Sequence, residues 1–211
     1  MENDSNQLKH PWLVAVWPGM GNLAVSAGYY LMAKLQMRQL AEFSSPELFD
    51  LNHIEVRDGI IRLGHLPRSR LYVWRDPQQK HDIVVFIGEA QPTTGKYTFC
   101  RKLIEFTREL GVEKVITFAA MTTGMHPEQN ARVFGAATDK ETLRQLQGLG
   151  LQIIKGGQIS GLNGMLLGAA SERGLPGACL LGEMPHLFAG LPFPKATMAV
   201  LKVFAAIAHI N

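Results

Sequence analysis

The sequence predicts a three-layer α/β/α fold around a mainly parallel, partly mixed sheet, and three observations predict it. Short uninterrupted apolar runs, such as residues 12–17 (WLVAVW) and 83–87 (IVVFI), read as strands buried on both faces. Longer helical stretches alternate with them, the pattern of parallel crossovers. The 211 residues are 46% hydrophobic and 18% charged, enough for a buried core and the wrong balance for disorder.

Taken in order, strand 12–17 is broken by Pro18-Gly19-Met20-Gly21-Asn22. A helix is expected over residues 23–40, where Ala24, Ala27, Leu31, Leu35 and Met37 recur at near-helical spacing. Residues 54–63 form two apolar-rich arms around Asp58-Gly59, a dipeptide that tolerates the positive φ of a tight turn. With a short strand at 71–74, residues 50–76 read as an antiparallel hairpin or sheet edge. Alternation then resumes with strand 83–87, helix 99–110 stopped by Gly111, and strand 115–119. Strand 131–137, helix 140–148 with Asp139 as N-cap, and strand 151–154 follow. Helix 162–173, strand 178–181 and helix 196–208 complete the order. Residues 1–211 read as one domain, with 1–11 a flexible N-terminal segment. The last helix, with Met198, Val200, Leu201, Val203, Phe204 and Ile207, is more apolar than a one-sided surface helix needs. It is read as core, with a share in a subunit contact as the second reading.

The net charge of +3 comes without a basic stripe, and the densest basic stretch, residues 62–75, is diluted by apolar residues; no nucleic-acid partner is expected. Cys100 and Cys179 form no CxxC pair and read as buried thiols of a reducing compartment. The polar start (MENDSNQLKH) has no apolar signal core, and no eighteen-residue apolar run follows. A cytoplasmic protein with no membrane partner is therefore expected.

In a parallel sheet, ligands bind beyond the carboxyl ends of the strands. The residues expected there form a candidate ligand-binding crevice: Gly19, Gly21, Asn22, Glu89, Gln91, Thr122, Asn163 and Glu183. Gly88-Glu89 and Gly182-Glu183 each place a carboxylate just past a buried strand, and such a pair can divide acid and base work. The bland reading is that each glutamate bonds nearby backbone or an arginine. Gly19-x-Gly21-x-x-Ala24 matches a relaxed dinucleotide fingerprint, but Pro18 precedes the turn and no acidic residue follows a clear second strand. Thr94-Gly95-Lys96-Tyr97 lacks the first glycine and the hydroxyl of a phosphate loop. Ser160 lacks the flanking glycines of a nucleophile elbow, with Gln158 and Leu162 in their places. His126 and His186 flank prolines but form no metal-ligand spacing. No catalytic residue, metal or cofactor is expected, and enzyme status stays open.

Four segments together carry a resemblance. They are Pro18-Gly19-Met20-Gly21-Asn22, Gly88-Glu89-Ala90-Gln91-Pro92, the run 157–167 (GQISGLNGMLL) and the run 177–185 (GACLLGEMP). The chain resembles the family of the second proteasome assembly chaperone over about residues 12–207. That resemblance implies a fold like that of nucleoside phosphorylases, homo-oligomers, and a non-catalytic protein-interaction or assembly-chaperone-like role. Eukaryotic members of that family help assemble proteasome α-rings, and archaeal ones bind the core proteasome. Some members are called ATP-grasp ligases, for which no residue pattern here speaks. Relatives that dock on the core proteasome end in a hydrophobic residue, a tyrosine and any residue. Here the end is His209-Ile210-Asn211, and Ile210 stands in place of the tyrosine, which argues against docking by that route. The alternative reading is a small-molecule binder, for a nucleoside- or phosphate-containing ligand, or a hydrolase- or phosphorylase-like enzyme using the crevice.

Overall fold

Across the eight-stranded sheet the order is Arg38–Phe43 (β2), Ser69–Trp74 (β5), Ile83–Gly88 (β6), Trp12–Val16 (β1), Lys114–Thr123 (β7), Gly177–Pro185 (β10), Val133–Ala137 (β8) and Gln152–Ile153 (β9), while Ile54–Arg57 (β3) and Ile60–Leu63 (β4) pair separately. In chain order the elements are β1 (Trp12–Val16), α1 (Leu23–Lys34), β2 (Arg38–Phe43), β3 (Ile54–Arg57), β4 (Ile60–Leu63), β5 (Ser69–Trp74) and β6 (Ile83–Gly88). Then come α2 (Lys96–Glu109), β7 (Lys114–Thr123), β8 (Val133–Ala137), α3 (Lys140–Gly148), β9 (Gln152–Ile153), α4 (Gly161–Glu172), β10 (Gly177–Pro185) and α5 (Pro194–Ala208). The computed structural model describes residues 7–50 and 54–210.

Four central strands, β6, β1, β7 and β10, are parallel. Antiparallel pairing appears on either side, where β5 joins β6 and β8 joins β10. The predicted mainly parallel, partly mixed sheet flanked by helices is the architecture found. Alternation along β1 explains its unbroken apolar run. Val14 and Val16 pack with α1 and α5 on one face, while Leu13, Ala15 and Trp17 pack with α2 and α4 on the other. The second face holds an aromatic cluster in which Phe43 and Phe99 meet edge-on at 5.3 Å. Asp139 caps α3 as expected, accepting from the backbone N–H groups of Glu141 and Thr142 at 3.0 and 2.8 Å.

The helix expected over 23–40 ends at Lys34 instead, and residues 38–43 form β2. The chain reverses at Gln36, which takes a positive φ of 49°. A register shift between Gln39 and Ala41 breaks the period-2 alternation that would have marked β2 as a strand. Strands β7 and β10 also run further than expected, because they pair from Val115–Gly177 to Thr123–Pro185. Thr122 and Glu183 therefore lie inside strands, not after them.

Of the N-terminal segment, residues 1–6 lie outside the described residues, as do 51–53 of the hairpin region. Lys9 donates its N–H to Asp82 Oδ2 at 2.9 Å, and Asp82 N–H returns a bond to Lys9 O at 2.8 Å. After α5, His209 takes a positive φ of 51° and Ile210 N–H donates to Ala205 O, so that Ile210 packs against the core. Asn211 lies outside the described residues. Both cysteines are buried and unpaired, and burial pushes the Cys100 thiol up to about 12 and the Cys179 thiol up to about 11.

Candidate functional site

All four parallel strands end on one rim, so the two Gly-Glu segments share that rim. They do not share a pocket. Strands β1 and β7 lie between β6 and β10, a separation of about 14 Å at ~4.8 Å per strand. Each carboxylate is also engaged where it stands. Glu89 accepts from Arg68 N–H at 2.9 Å and from Arg70 Nη1 at 3.4 Å, tying the start of β5 to the end of β6.

Glu183 is 1% exposed and sits in a denser web. Arg132 grips it through Nε at 2.7 Å and Nη2 at 2.5 Å, and Thr123 Oγ1 donates at 2.7 Å. The Arg132 guanidinium holds the Glu183 carboxyl down at about 2, against the opposing effect of burial. A carboxylate held so far below neutrality is a poor proton donor or acceptor near pH 7. Its geometry is that of a structural clamp joining β10 and β7 to the segment leading into β8.

The turn after β1 is likewise used internally. Gly21 has φ +59°, and a Cβ there would lie 2.6 Å from Met184 Cε. Its N–H donates to Ala189 O at 3.1 Å, and Asn22 N–H donates to Gly19 O at 2.9 Å. The close approach that these residues permit is thus to the 186–191 turn, and neither N–H is left for a phosphate.

Between the end of β1 and the start of α4 lies a cleft of about 470 Å³. Gly19, Gln91 and Asn163 of the expected crevice line it; Gly21, Asn22, Glu89, Thr122 and Glu183 do not. Gln91 bridges its two sides: Nε2 donates to Pro18 O at 3.1 Å, while Oε1 lies against Gly161. Asn163 accepts a bond from Thr117 Oγ1 through its backbone oxygen at 3.4 Å. The sequence reading did not single out Trp17, which walls the cleft and is 2% exposed. Its place as the last apolar residue before a Pro-Gly turn was the available signal. It also did not single out Arg132, whose partner is 51 residues away in sequence. His126 and His186 are exposed and outside the cleft. Among the described residues no group of three His, Cys, Asp or Glu side chains is placed to hold a metal ion. Nor is any described helix long and apolar enough to cross a membrane.

Comparison with known proteins fits this architecture. PbaB of Pyrococcus furiosus, described as an archaeal proteasome activator, superposes with a TM-score of 0.82 at 25% identity, over 99% of this chain and 87% of that one. The Mycobacterium tuberculosis proteasome-assembly chaperone homologue Rv2125 gives a TM-score of 0.79 at 26% identity, over 95% and 86%. An uncharacterized protein of Methanocaldococcus jannaschii, MJ1210, is 27% identical over 99% of this chain and 78% of its own length. The sequence profile of the PAC2 family matches residues 13–211, and the chain belongs to that family.

Proposed function

We propose that this chain acts by binding protein, as a non-catalytic, assembly-chaperone-like homo-oligomer of the cytoplasm, with the β3–β4 ribbon as a contact between copies. The ribbon carries the proposal. Its pairing sets Ile54 opposite Leu63 and Val56 opposite Ile61, so these four side chains share one face. They are 54%, 76%, 63% and 68% exposed, in that order. Asp58 and Gly59 both take positive φ, which fixes the tight turn and so the register. An isolated two-stranded ribbon is marginal in water, and a contiguous apolar strip is costly to leave wet. A two-fold contact would lay the strip on the same strip of a second copy.

Support for the wider role comes from the relatives: PbaB is described as a proteasome activator and Rv2125 as a proteasome-assembly chaperone homologue. A large multi-subunit protein assembly of that kind is the proposed partner. The clamped states of Glu89 and Glu183 favour a structural over a catalytic use of both. The proposal places no weight on the C-terminal residues, where Ile210 packs back on the core.

Light scattering after gel filtration tests the reading. The wild-type chain is expected to run as a dimer or larger. The double variant Ile61→Glu, Leu63→Glu is expected to run as a monomer with an unchanged far-UV spectrum. A monomeric wild type, or a variant of unchanged size, would remove the ribbon contact. Failure of any large assembly to co-purify from the native host would remove the chaperone-like role.

A further inference from the structure

Among the described residues His81 is the only buried imidazole, at 7% exposure. It lies just before β6, next to the start of β1, where Trp12 pairs with Ile83. Its ring stacks on the Trp12 indole, with centroids 4.2 Å apart and planes 8° from parallel. Its Nε2 meets Ala208 O, at the last residue of α5, at 2.8 Å. A carbonyl only accepts, so Nε2 carries the hydrogen and a second proton must add at Nδ1. The bond spans 127 residues of sequence and ties the C-terminal end of α5 to the β5–β6 turn. Beyond Ala208 the chain is held by Ala205 O, which accepts from the N–H groups of both His209 and Ile210.

We infer that His81 is a proton-sensitive latch: the neutral ring holds the end of α5 against the sheet, and a second proton frees that end together with Ile210. The charged groups around the ring set the direction. Burial is the largest effect and disfavours the imidazolium. The Ala208 carbonyl, at a helix C-terminus, and the Asp76 carboxylate favour it, while His209 and Lys114 add to the penalty. The Trp12 face offers little relief, because the Lys114 ammonium already sits 4.6 Å from that ring. Asp76 is occupied by the N–H groups of Gln78 and Lys80, and Asp82 by those of Lys9 and Asp76 and by Arg75 at 3.7 Å. The balance holds His81 below its ordinary value of 6.5. Its stabilising contribution is therefore complete above about pH 6.5 and is lost as pH falls below it. An imidazolium is better carried by water than by this slot, and when the ring leaves, Ala208 O loses its donor. The latch uses no residue of the ribbon, so it is present whatever the size of the oligomer.

Backbone NMR relaxation of the full-length chain tests the latch. The Ile210 amide is expected to show an order parameter of about 0.85 at about pH 8, as rigid backbone does, and below about 0.6 at about pH 5. The loosening is expected to follow the ring C–H shifts of His81 itself. His81→Gln keeps a neutral donor for Ala208 O and carries no titrating proton. In that variant Ile210 is expected to stay rigid at both pH values. Its thermal midpoint is expected to fall by at least about 2 °C less than that of wild type over the same range. His209→Gln, at the exposed neighbour, is expected to keep the transition. Should His81→Gln fail to fold, the coincidence of the two wild-type titrations decides the matter. An Ile210 that stays rigid at about pH 5, a loosening out of step with His81, or one that persists in His81→Gln would each overturn the assignment.

Discussion

Gly164→Ala is expected to destabilise the protein by about 1–3 kcal/mol, although alanine is the better helix former by about 1 kcal/mol. In α4 the added Cβ would lie 2.2 Å from Ile159 O and 3.0 Å from Ile159 C, both backbone atoms. Backbone cannot rotate away as a side-chain tip can, so the 156–160 loop must lift off the helix. The expected fall in thermal midpoint is about 3–10 °C for a chain of this size. Gly168, one turn further on, is the internal control. It is exposed, and a Cβ there meets nothing within 4 Å. Gly168→Ala is expected to raise stability by about 0.5–1 kcal/mol. Melting curves of the two variants give opposite signs if the loop is seated on α4 as described; two increases would show that it is not. The lifted loop includes Gln158 and Ser160, so the same variant should also open the cleft.

The second large effect concerns Arg132→Ala, which strands a carboxylate that is 1% exposed. Removing one partner of a buried ion pair is costly, while the 55% exposure of the Arg132 side chain softens the loss. A fall of roughly 5–12 °C in midpoint is expected at neutral pH. The pH dependence carries a sign. Glu183 is lowered from 4.5 to about 2 in the folded protein, so its stabilising contribution is complete above about pH 4.5. That contribution disappears as pH falls through 2. The midpoint gap between wild type and Arg132→Ala should therefore be widest at neutral pH and close between about pH 4.5 and about pH 2. A gap independent of pH would mean that Arg132 acts by packing, over the Phe134 ring for instance, and not through its charge.

Much of the fold was legible because local and tertiary preferences agree. Strands β1 and β6 are apolar throughout since both of their faces are covered, and Asp58-Gly59 and Asp139 announce a turn and a cap by their own chemistry. Strand β2 was hidden because its register shift destroys the alternation that identifies an edge strand, while its residues suit a continuing helix. The rim was legible, but the pocket was not. Succession along the chain puts Glu89 and Glu183 toward the carboxyl ends of parallel strands, yet strand order, which no local pattern encodes, sets two strands between those two. Trp17 and Asn163 come to one cleft only through the packing of distant elements.

The position of β1 shapes how this molecule must be made. Both of its neighbours, beginning at Ile83 and Lys114, follow it by a long interval of chain. On a ribosome extending by about 5–20 residues per second, this wholly apolar strand waits on the order of 10 s with both edges open. Nonlocal parallel pairing is slow to nucleate as well, since loop closure precedes any reward. Refolding from denaturant should accordingly be slow, with a yield that falls as protein concentration rises. A fast, concentration-independent recovery would show that β1 finds shelter before its partners arrive.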